Sequence, residues 1–306
     1  MGVDVTDWEE AADLRPLLFS IAYRMLGSVA EAEDIVQATY LRYLDYSEQG
    51  REAESPRALL TTITTRLAID HLRSARVQRE SYVGPWLPEP LLTSNEPDVA
   101  DVAVMSDSLS MAFLVLLETL SPVERAIFLL REVFVYDYDE IARITDKSPA
   151  NCRQLLARAR RHVDAGQRRF AADSAQRASL ADRFFEAAEN GALGPLVDLL
   201  AEDVAFYGDG GSSGRGLRQP VFGRERVRRV LDGIFHAYSR FGTRFERRGI
   251  NGGPGLLAFD ASGGLINVLA IDVSDHQIST VRSVINPDKL RHLGLPLSEL
   301  AQRARR

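Results

Sequence analysis

The chain has 306 residues, enough for two or three compact domains, and its 45% hydrophobic content is typical of globular proteins with packed cores. Its single cysteine, Cys152, excludes an intrachain disulfide and a cysteine-based metal cluster, and is predicted to be a small core residue. No run of about 18 apolar residues is present and the amino terminus is acidic, so we expect a soluble, cytoplasmic protein without a membrane partner.

Charge is sorted along the chain, although the net charge of −6 alone would argue against a nucleic-acid partner. No lysine or arginine lies between Glu80 and Glu124, a stretch rich in acids. Residues 153–169, by contrast, contain six arginines and one acid, Asp164. The basic segment is therefore a candidate contact surface for nucleic acid.

Residues 13–80 are predicted to be helical, because apolar residues recur there at helical spacing. Ser28 with Glu31 forms a capping-box pattern at the start of a second helix. After a polar stretch, Ser55–Pro56 starts a third helix with a cap residue followed by proline at the first helical position.

Residues 81–108 contain four prolines and many acids, which predicts an extended linker. Such a negative chain could occupy a positively charged channel as nucleic acid would, although a solvated spacer remains the alternative. Helical patterns resume near Leu109, and Ser121–Pro122 with Glu124 forms another capping box.

Residues 138–163 predict a helix-turn-helix, in which Asp137 caps the first helix and Pro149 opens the second. On the second helix an apolar face would pack inward, formed by Cys152, Leu155, Leu156, Ala159 and Val163. The opposite face would offer base-reading and phosphate-binding side chains, namely Asn151, Arg153, Gln154, Arg158 and Arg161. A helical hairpin with a solvated arginine face remains the alternative.

After about residue 175 the pattern changes to that of a separate α+β domain. Two helical stretches, 180–190 and 193–201, precede a strand that runs into a glycine turn. A helix is predicted at 223–240. Three strand-like runs follow, near 243–250, 254–260 and 264–283, before a short helical tail.

Three blocks of sequence resemble extracytoplasmic-function sigma factors of the sigma-70 family, in the family's order. Regions 2.1–2.2 are similar to LLFSIAYRMLGSVAEAEDIVQATYLRYL, regions 2.3–2.4 to SPRALLTTITTRLAIDHLRSARVQRE, and region 4 to LSPVERAIFLLREVFVYDYDEIARITDKSPANCRQLLARARRHV. Three further segments resemble the sigma-J-like group of this family: WLPEP at 86–90, the DGG turn at 209–211 and NPDKL at 286–290. Members of that group have a SnoaL-like carboxy-terminal extension. The group's turn usually reads DGGGK, whereas this one reads DGGSS with Arg215 as the nearest cation.

The resemblance implies a multidomain protein with two all-α sigma domains and an α+β cone of the SnoaL or NTF2-like type. Region 2 would occupy 10–80, the acidic linker 81–108, region 4 109–166 and the regulatory extension 176–306. The implied function is promoter-specific initiation of transcription with core RNA polymerase, whose β′ clamp and β flap would be the protein partners. No cofactor, metal site or enzyme activity is expected.

The resemblance also implies site residues. The polymerase clamp would meet Asp34, Ile35, Val36 and Gln37, and the −10 element would meet Arg66, Asp70, Arg73 and Arg76. The polar 45–56 loop lies where the family captures an unstacked promoter base. The −35 element would be bound by the arginine-rich face of the second helix of the helix-turn-helix.

The extension is expected to regulate the sigma regions in cis. We expect an interface between the linker and the extension. On the linker it would be formed by Trp86, Leu87, Pro88, Glu89 and Pro90. On the extension it would be formed by the turn residues Asp209, Gly210 and Gly211 and the tail residues Asn286, Pro287, Asp288, Lys289 and Leu290. The competing hypothesis is a SnoaL-like enzyme or sensor fused to a DNA-binding module, with an unidentified small ligand in its pocket. Candidate acid or base groups for it are Asp209, His236, Asp260, Asp272 and His276, although no spacing defines a catalytic pair.

Overall fold

The computed structural model describes residues 10–51, 53–80, 82–93, 108–167, 174–190, 194–211 and 216–298. The chain divides into two compact units. The first comprises Met1–Glu80 with Leu116–Ala165, and the second comprises Ser81–Val115 with Gly166–Arg306. The described part of the predicted extended linker therefore belongs to the same unit as the carboxy-terminal domain.

The first unit is helical, as expected. Its helices are α1 (Arg15–Leu26), α2 (Val29–Glu48), α3 (Pro56–Glu80), α5 (Pro122–Glu132), α6 (Tyr138–Thr145) and α7 (Pro149–Gln167), while α4 (Met111–Leu117) precedes α5 in the chain. The predicted caps explain where several helices begin. Ser28 Oγ accepts a hydrogen bond from the Glu31 amide, and full capping boxes form at Ser121–Glu124 and Asp137–Glu140.

Two groups of helices make up this unit, α1–α3 and α5–α7. They pack on each other through α1 against α5 and through α3 against α5 and α6. Arg125 is 2% exposed and joins the groups through three contacts. Its guanidinium donates to the carbonyls of Met25, at 2.6 Å, and Leu117, at 2.9 Å, and lies 2.8 Å from the Glu118 carboxylate. Burial removes the guanidinium from water, and the two carbonyls and the carboxylate replace the hydrogen bonds that water would make.

The second unit is built on a seven-stranded sheet. Its strands are β1 (Leu92–Thr93), β2 (Leu200–Asp209), β3 (Val221–Phe222), β4 (Arg244–Ile250), β5 (Gly253–Phe259), β6 (Leu265–Ser274) and β7 (Gln277–Val284), in the order β1-β4-β5-β6-β7-β2-β3. Neighbouring strands are antiparallel except for β2 and β7, which are parallel. The helices are α8 (Ser174–Asn190), α9 (Gly194–Leu199) and α10 (Arg224–Arg240).

Each face of the sheet has a separate hydrophobic core, because successive strand residues point to opposite faces. On β5, Leu256 and Ala258 join the core formed with α8, α9 and α10. Leu257 and Phe259 join a second core that includes Leu87 from the linker segment. The linker segment (residues 82–93) therefore supplies part of the cover of one sheet face.

The α+β class of this domain is confirmed, with local differences from the predicted elements. The run 264–283 is two strands joined by a turn at which Asp275 and His276 adopt positive φ. The second helical stretch ends at Leu199, where β2 begins. The expected helical tail forms two short 3-10 turns, at Pro287–Lys289 and Arg291–Leu293, and residues 299–306 lie outside the described part.

Candidate functional site

A groove of about 480 Å³ lies on the surface of the first unit along α2. Its lining residues are Arg15, Glu33, Asp34, Val36, Gln37, Tyr40, Leu41 and Leu44. Asp34 and Gln37 are exposed, Ile35 and Val36 are buried in the helix packing, and Leu41 is 57% exposed. An apolar floor with a carboxylate and an amide beside it suits the docking of a partner helix.

The residues expected to contact the −10 element lie along α3. Asp70 and Arg73 are exposed and pair with each other at 3.1 Å. The side chain of Arg76 lies outside the described residues, as does residue 52 of the polar 45–56 loop. The exposed pair is available to a partner on this face, because a surface ion pair of this kind is worth about 1 kcal/mol or less.

Arg66 has a different environment from its neighbours on α3. Its Nε donates to the carbonyl of Ile144 at 2.9 Å, and its Nη2 donates to the carbonyl of Arg143 at 2.8 Å. Both carbonyls belong to the last turn of α6, where the helix dipole favours a cation. In this structure Arg66 therefore ties α3 to the first helix of the helix-turn-helix.

The expected facing of α7 is confirmed. Cys152, Leu156, Ala159 and Val163 are each at most 1% exposed, and Leu155 is half-buried. The opposite face exposes Asn151, Arg153, Gln154, Arg158 and Arg161. Asp146, in the left-handed conformation at φ 55°, ends α6 and makes the turn into α7. The arrangement gives a basic helix that can enter a DNA groove.

In the second unit, the Asp209 carboxylate at the end of β2 is fully buried and accepts four hydrogen bonds. Its Oδ2 accepts from Lys289 Nζ and from the Leu87 amide, both at 2.8 Å. Its Oδ1 accepts from the Tyr82 hydroxyl at 2.5 Å and from the Gly211 amide at 3.1 Å. One carboxylate thus holds together the turn, the tail and the linker segment.

Lys289, 7% exposed, is the cation of this cluster. Its ammonium also donates to the Leu87 carbonyl and lies 4.2 Å from the centre of the Trp86 ring and 4.9 Å from that of Tyr82. Asn286 Nδ2 donates to the Tyr82 hydroxyl at 2.9 Å. Burial, together with the Asp209 charge, raises the pKa of Tyr82, so this hydroxyl stays a donor. We call Asp209, Lys289, Tyr82, Trp86 and Asn286 the linker clamp.

Two glycines are required by the close approach of chain segments around the clamp. Gly211 has φ 54°, and a Cβ there would collide with the Asn286 side chain. Gly84 has φ 87°, and a Cβ there would lie 2.7 Å from the Leu217 carbonyl oxygen. Both positions combine a left-handed backbone with a tight contact, which only glycine satisfies.

A second set of contacts fixes the rest of the linker segment. His292 Nε2 donates to the Pro90 carbonyl at 2.8 Å, and its Nδ1 faces the Glu89 carboxylate at 3.6 Å. The Asn251 side chain accepts from the Leu91 amide at 2.9 Å. Strand β1 then pairs with β4.

Every residue of WLPEP is buried or half-buried, and the structure brings it together with the DGG turn and the NPDKL tail. Three residues that hold this segment were not predicted from the sequence, namely Tyr82, Asn251 and His292. No local pattern marks these three residues, since each acts on a partner more than 120 positions away.

The other acid and base candidates of this domain have structural partners or lie on the surface. Asp272 pairs with the buried Arg282, and Asp260 accepts hydrogen bonds from Ser262 and Ser298, which lower its pKa to about 2. His236 and His276 are exposed. Within the described ranges, no three His, Cys, Asp or Glu side chains are grouped so that they could hold a metal ion.

The helical half of the chain has the two signatures of sigma-70 proteins. The family model for sigma-70 region 2 matches residues 11–77, and that for sigma-70 region 4 matches residues 110–163. These spans contain the α2 groove and the helix-turn-helix. The class of protein is therefore a sigma factor of the sigma-70 type.

Full-length relatives define the subfamily. The chain is 34% identical to the ECF RNA polymerase sigma factor SigJ of Mycobacterium tuberculosis H37Rv, over 97% of this chain and 96% of that protein. It is 31% identical to the probable ECF RNA polymerase sigma factor SigI of Mycobacterium tuberculosis CDC 1551, over 90% and 92%. The crystal structure of Mycobacterium tuberculosis SigJ superposes with a TM-score of 0.73 at 33% identity, covering 96% of this chain and all of that one.

The chain belongs to the extracytoplasmic-function RNA polymerase sigma factors. Its function is that of a transcription-initiation sigma factor with a carboxy-terminal α+β domain. Among the helices in the described ranges, none is both long and apolar enough to cross a membrane.

Proposed function

We propose that this sigma factor directs core RNA polymerase to promoters in the cytoplasm, and that its carboxy-terminal domain restrains it by holding the linker segment. The observation that carries the proposal is the buried Asp209 carboxylate, which is bound at the same time by Lys289 of the tail and by the Leu87 amide of the linker segment. A domain that only accompanied the sigma regions would not need the linker to complete its own core.

The surfaces of the first unit are assigned roles from their chemistry. The α2 groove, with Asp34 and Gln37 at its side, receives the β′ clamp helices, while region 4 meets the β flap. The exposed face of α7 binds the −35 element, and the basic residues of α3 bind the −10 element. Region 2 lies within 10–80 and region 4 within 109–166, so the linker joins the two DNA-binding parts.

The restraint acts through the path of the linker. Its 28 residues, 81–108, could span at most about 95 Å if fully extended, at ~3.4 Å per residue. Holding residues 82–93 on the carboxy-terminal domain fixes the path of that part of the connection between regions 2 and 4. The two regions then cannot use the full reach of the linker to separate.

The packing within the first unit supports the same view. Arg66, expected to hold promoter phosphate, donates instead to the carbonyls at the end of α6. Thr61 Oγ1 on α3 and the Tyr136 hydroxyl, just before α6, are hydrogen-bonded at 3.0 Å. Binding of both promoter elements would require these contacts to open, and a held linker keeps the two groups of helices at high effective concentration.

The test is promoter-dependent transcription. Start sites are mapped in cells that overproduce the chain, and one mapped promoter is used for run-off transcription with purified core polymerase. The transcript should require both the chain and the core enzyme. Trp86→Ala removes the aromatic ring that lies over the Lys289 ammonium. It should raise the transcript by up to roughly thirtyfold, because a cation–π contact with a desolvated cation is worth about 2 kcal/mol.

Deletion of the tail from Asn286 should raise transcription further, since it removes Lys289. Truncation after residue 172 removes the whole domain and should show the unrestrained level. Phe241→Ala, at a 49% exposed aromatic at the end of α10, is the matched control and should match the wild type. A transcript that core polymerase makes equally well without the chain, or no transcript from the two together, would contradict the initiation role. Equal transcript levels in all variants would contradict restraint in cis.

A further inference from the structure

The Tyr138 ring lies beside two guanidinium groups of the helix-turn-helix region. It is half-buried at the first position of α6. The Cζ of Arg153, on the exposed face of α7, lies 4.9 Å from the ring centre, and the Cζ of Arg131, on α5, lies 5.0 Å from it. Both distances are within the range of a cation–π interaction.

Contacts that do not involve α7 hold Tyr138 in place. Arg131 Nη1 donates to the Tyr136 carbonyl at 2.7 Å, and the Asp137–Glu140 capping box sets the backbone where α6 begins. Tyr136 itself is 7% exposed and hydrogen-bonded to Thr61. The Tyr138 ring is therefore fixed, and the long side chain of Arg153 is ordered by its contact with that ring.

Two further arginines of α7, Arg158 and Arg160, have carboxylate partners instead of an aromatic one. Arg160 lies 2.8 Å from Glu132, which raises the pKa of Arg160, and Arg158 lies 3.5 Å from Glu124. A carboxylate partner bonds to the N–H edge of the guanidinium, so an arginine held in this way must exchange that partner for DNA before it contacts a base or phosphate. An aromatic face orders the guanidinium plane while leaving that edge and the charge available.

We propose that Tyr138 is a positioning residue for promoter recognition, which presents Arg153 to a guanine in the −35 element, with Arg131 fixing the ring. Arginine recognises guanine through two parallel hydrogen bonds to O6 and N7, so a preordered guanidinium loses less side-chain entropy on binding. This inference rests on the proposed function, because it names the residues that give region 4 its base preference.

The test uses the full chain with core polymerase and a library of double-stranded promoter fragments randomised across the −35 element. The wild-type holoenzyme should select one base at one position through Arg153, and Arg153→Ala should lose that preference. Tyr138→Ala should lower it about two- to fivefold, while Tyr138→Phe, which keeps the ring, should retain it. Arg161→Ala is the matched control on α7 and should weaken binding equally across all sequences.

The double variant separates positioning from general damage. In the Arg153→Ala background, adding Tyr138→Ala should change the base preference no further, since Tyr138 acts through Arg153. A full preference in Tyr138→Ala, or the same loss with and without Arg153, would overturn the positioning role while leaving the proposed function intact. A wild-type holoenzyme that selects no −35 sequence would overturn both.

Discussion

The sharpest test of the linker clamp is Lys289→Ala, which leaves the Asp209 carboxylate buried without its cation. Removing one partner of a buried ion pair costs about 3–5 kcal/mol, since the remaining charge is then uncompensated. Asp209 keeps three other donors, from Leu87, Gly211 and Tyr82, so the lower end of that range applies. A loss of about 3 kcal/mol corresponds to roughly a hundredfold rise in the opening equilibrium of the clamp.

Hydrogen exchange measures this opening directly. The Leu87 amide donates to Asp209 and the Leu91 amide donates to Asn251, so both should be protected in the wild-type chain. In Lys289→Ala, exchange over residues 82–93 should accelerate about a hundredfold when exchange occurs by local opening. Amides shared between β6 and β7 should change less, because their hydrogen bonds do not involve the linker.

Arg247→Ala is the control variant. Arg247 pairs with Glu189 and Asp182, but its side chain is 38% exposed, so the pair contributes about 1 kcal/mol or less. Exchange over residues 82–93 should be the same in this variant as in the wild type. Unchanged exchange of the linker amides in Lys289→Ala would refute the clamp, because the ion pair would then not be what holds the segment.

Two further predictions concern the α2 groove and the carboxylate of Asp260, between β5 and β6. Asp34→Arg should weaken association with core polymerase by tenfold or more, because it replaces the carboxylate beside the α2 groove with a cation and so changes the electrostatic complementarity of the interface. Unchanged co-purification with a normal circular dichroism spectrum would contradict it. Hydrogen bonds from Ser262 and Ser298 depress the pKa of Asp260 to about 2, so the stability they contribute is present above pH ~4 and is lost as the pH falls towards 2. Asp260→Asn should therefore lose less stability than the wild type between pH 5 and pH 3 in urea unfolding, and equal losses would contradict this.

The helical half of the fold was largely predictable, because its signals are local. Ser121 with Glu124 marks the start of α5 within four residues, and the turn before Pro149 separates α6 from α7. The facing of α7 follows from helical periodicity alone, which is why Cys152 could be placed in the core.

Contacts between residues that are far apart in the sequence were harder to predict. Trp86 and the DGG turn were expected to meet, but the roles of Tyr82 and His292 depend on partners 127 and 202 positions away. The linker was predicted to be extended on its proline and acid content, with WLPEP in contact with the extension. Residues 82–93 are extended as expected, but Leu87 enters a core and residues 92–93 pair with β4, which composition does not indicate.

The choice of an ion pair for the clamp has a physical consequence for regulation. A buried pair such as Asp209 with Lys289 is often no more stabilising than apolar side chains of the same size, but it requires its partners in one geometry. Apolar contacts around Leu87 would tolerate a shifted linker, whereas the carboxylate must receive the Leu87 amide and the ammonium together. Since the linker is covalently joined to the domain, rebinding is intramolecular and even a weakened clamp would re-form. Release therefore requires a competitor for the linker segment or for Lys289, and core polymerase that engages the linker with its own charged groups would be such a competitor.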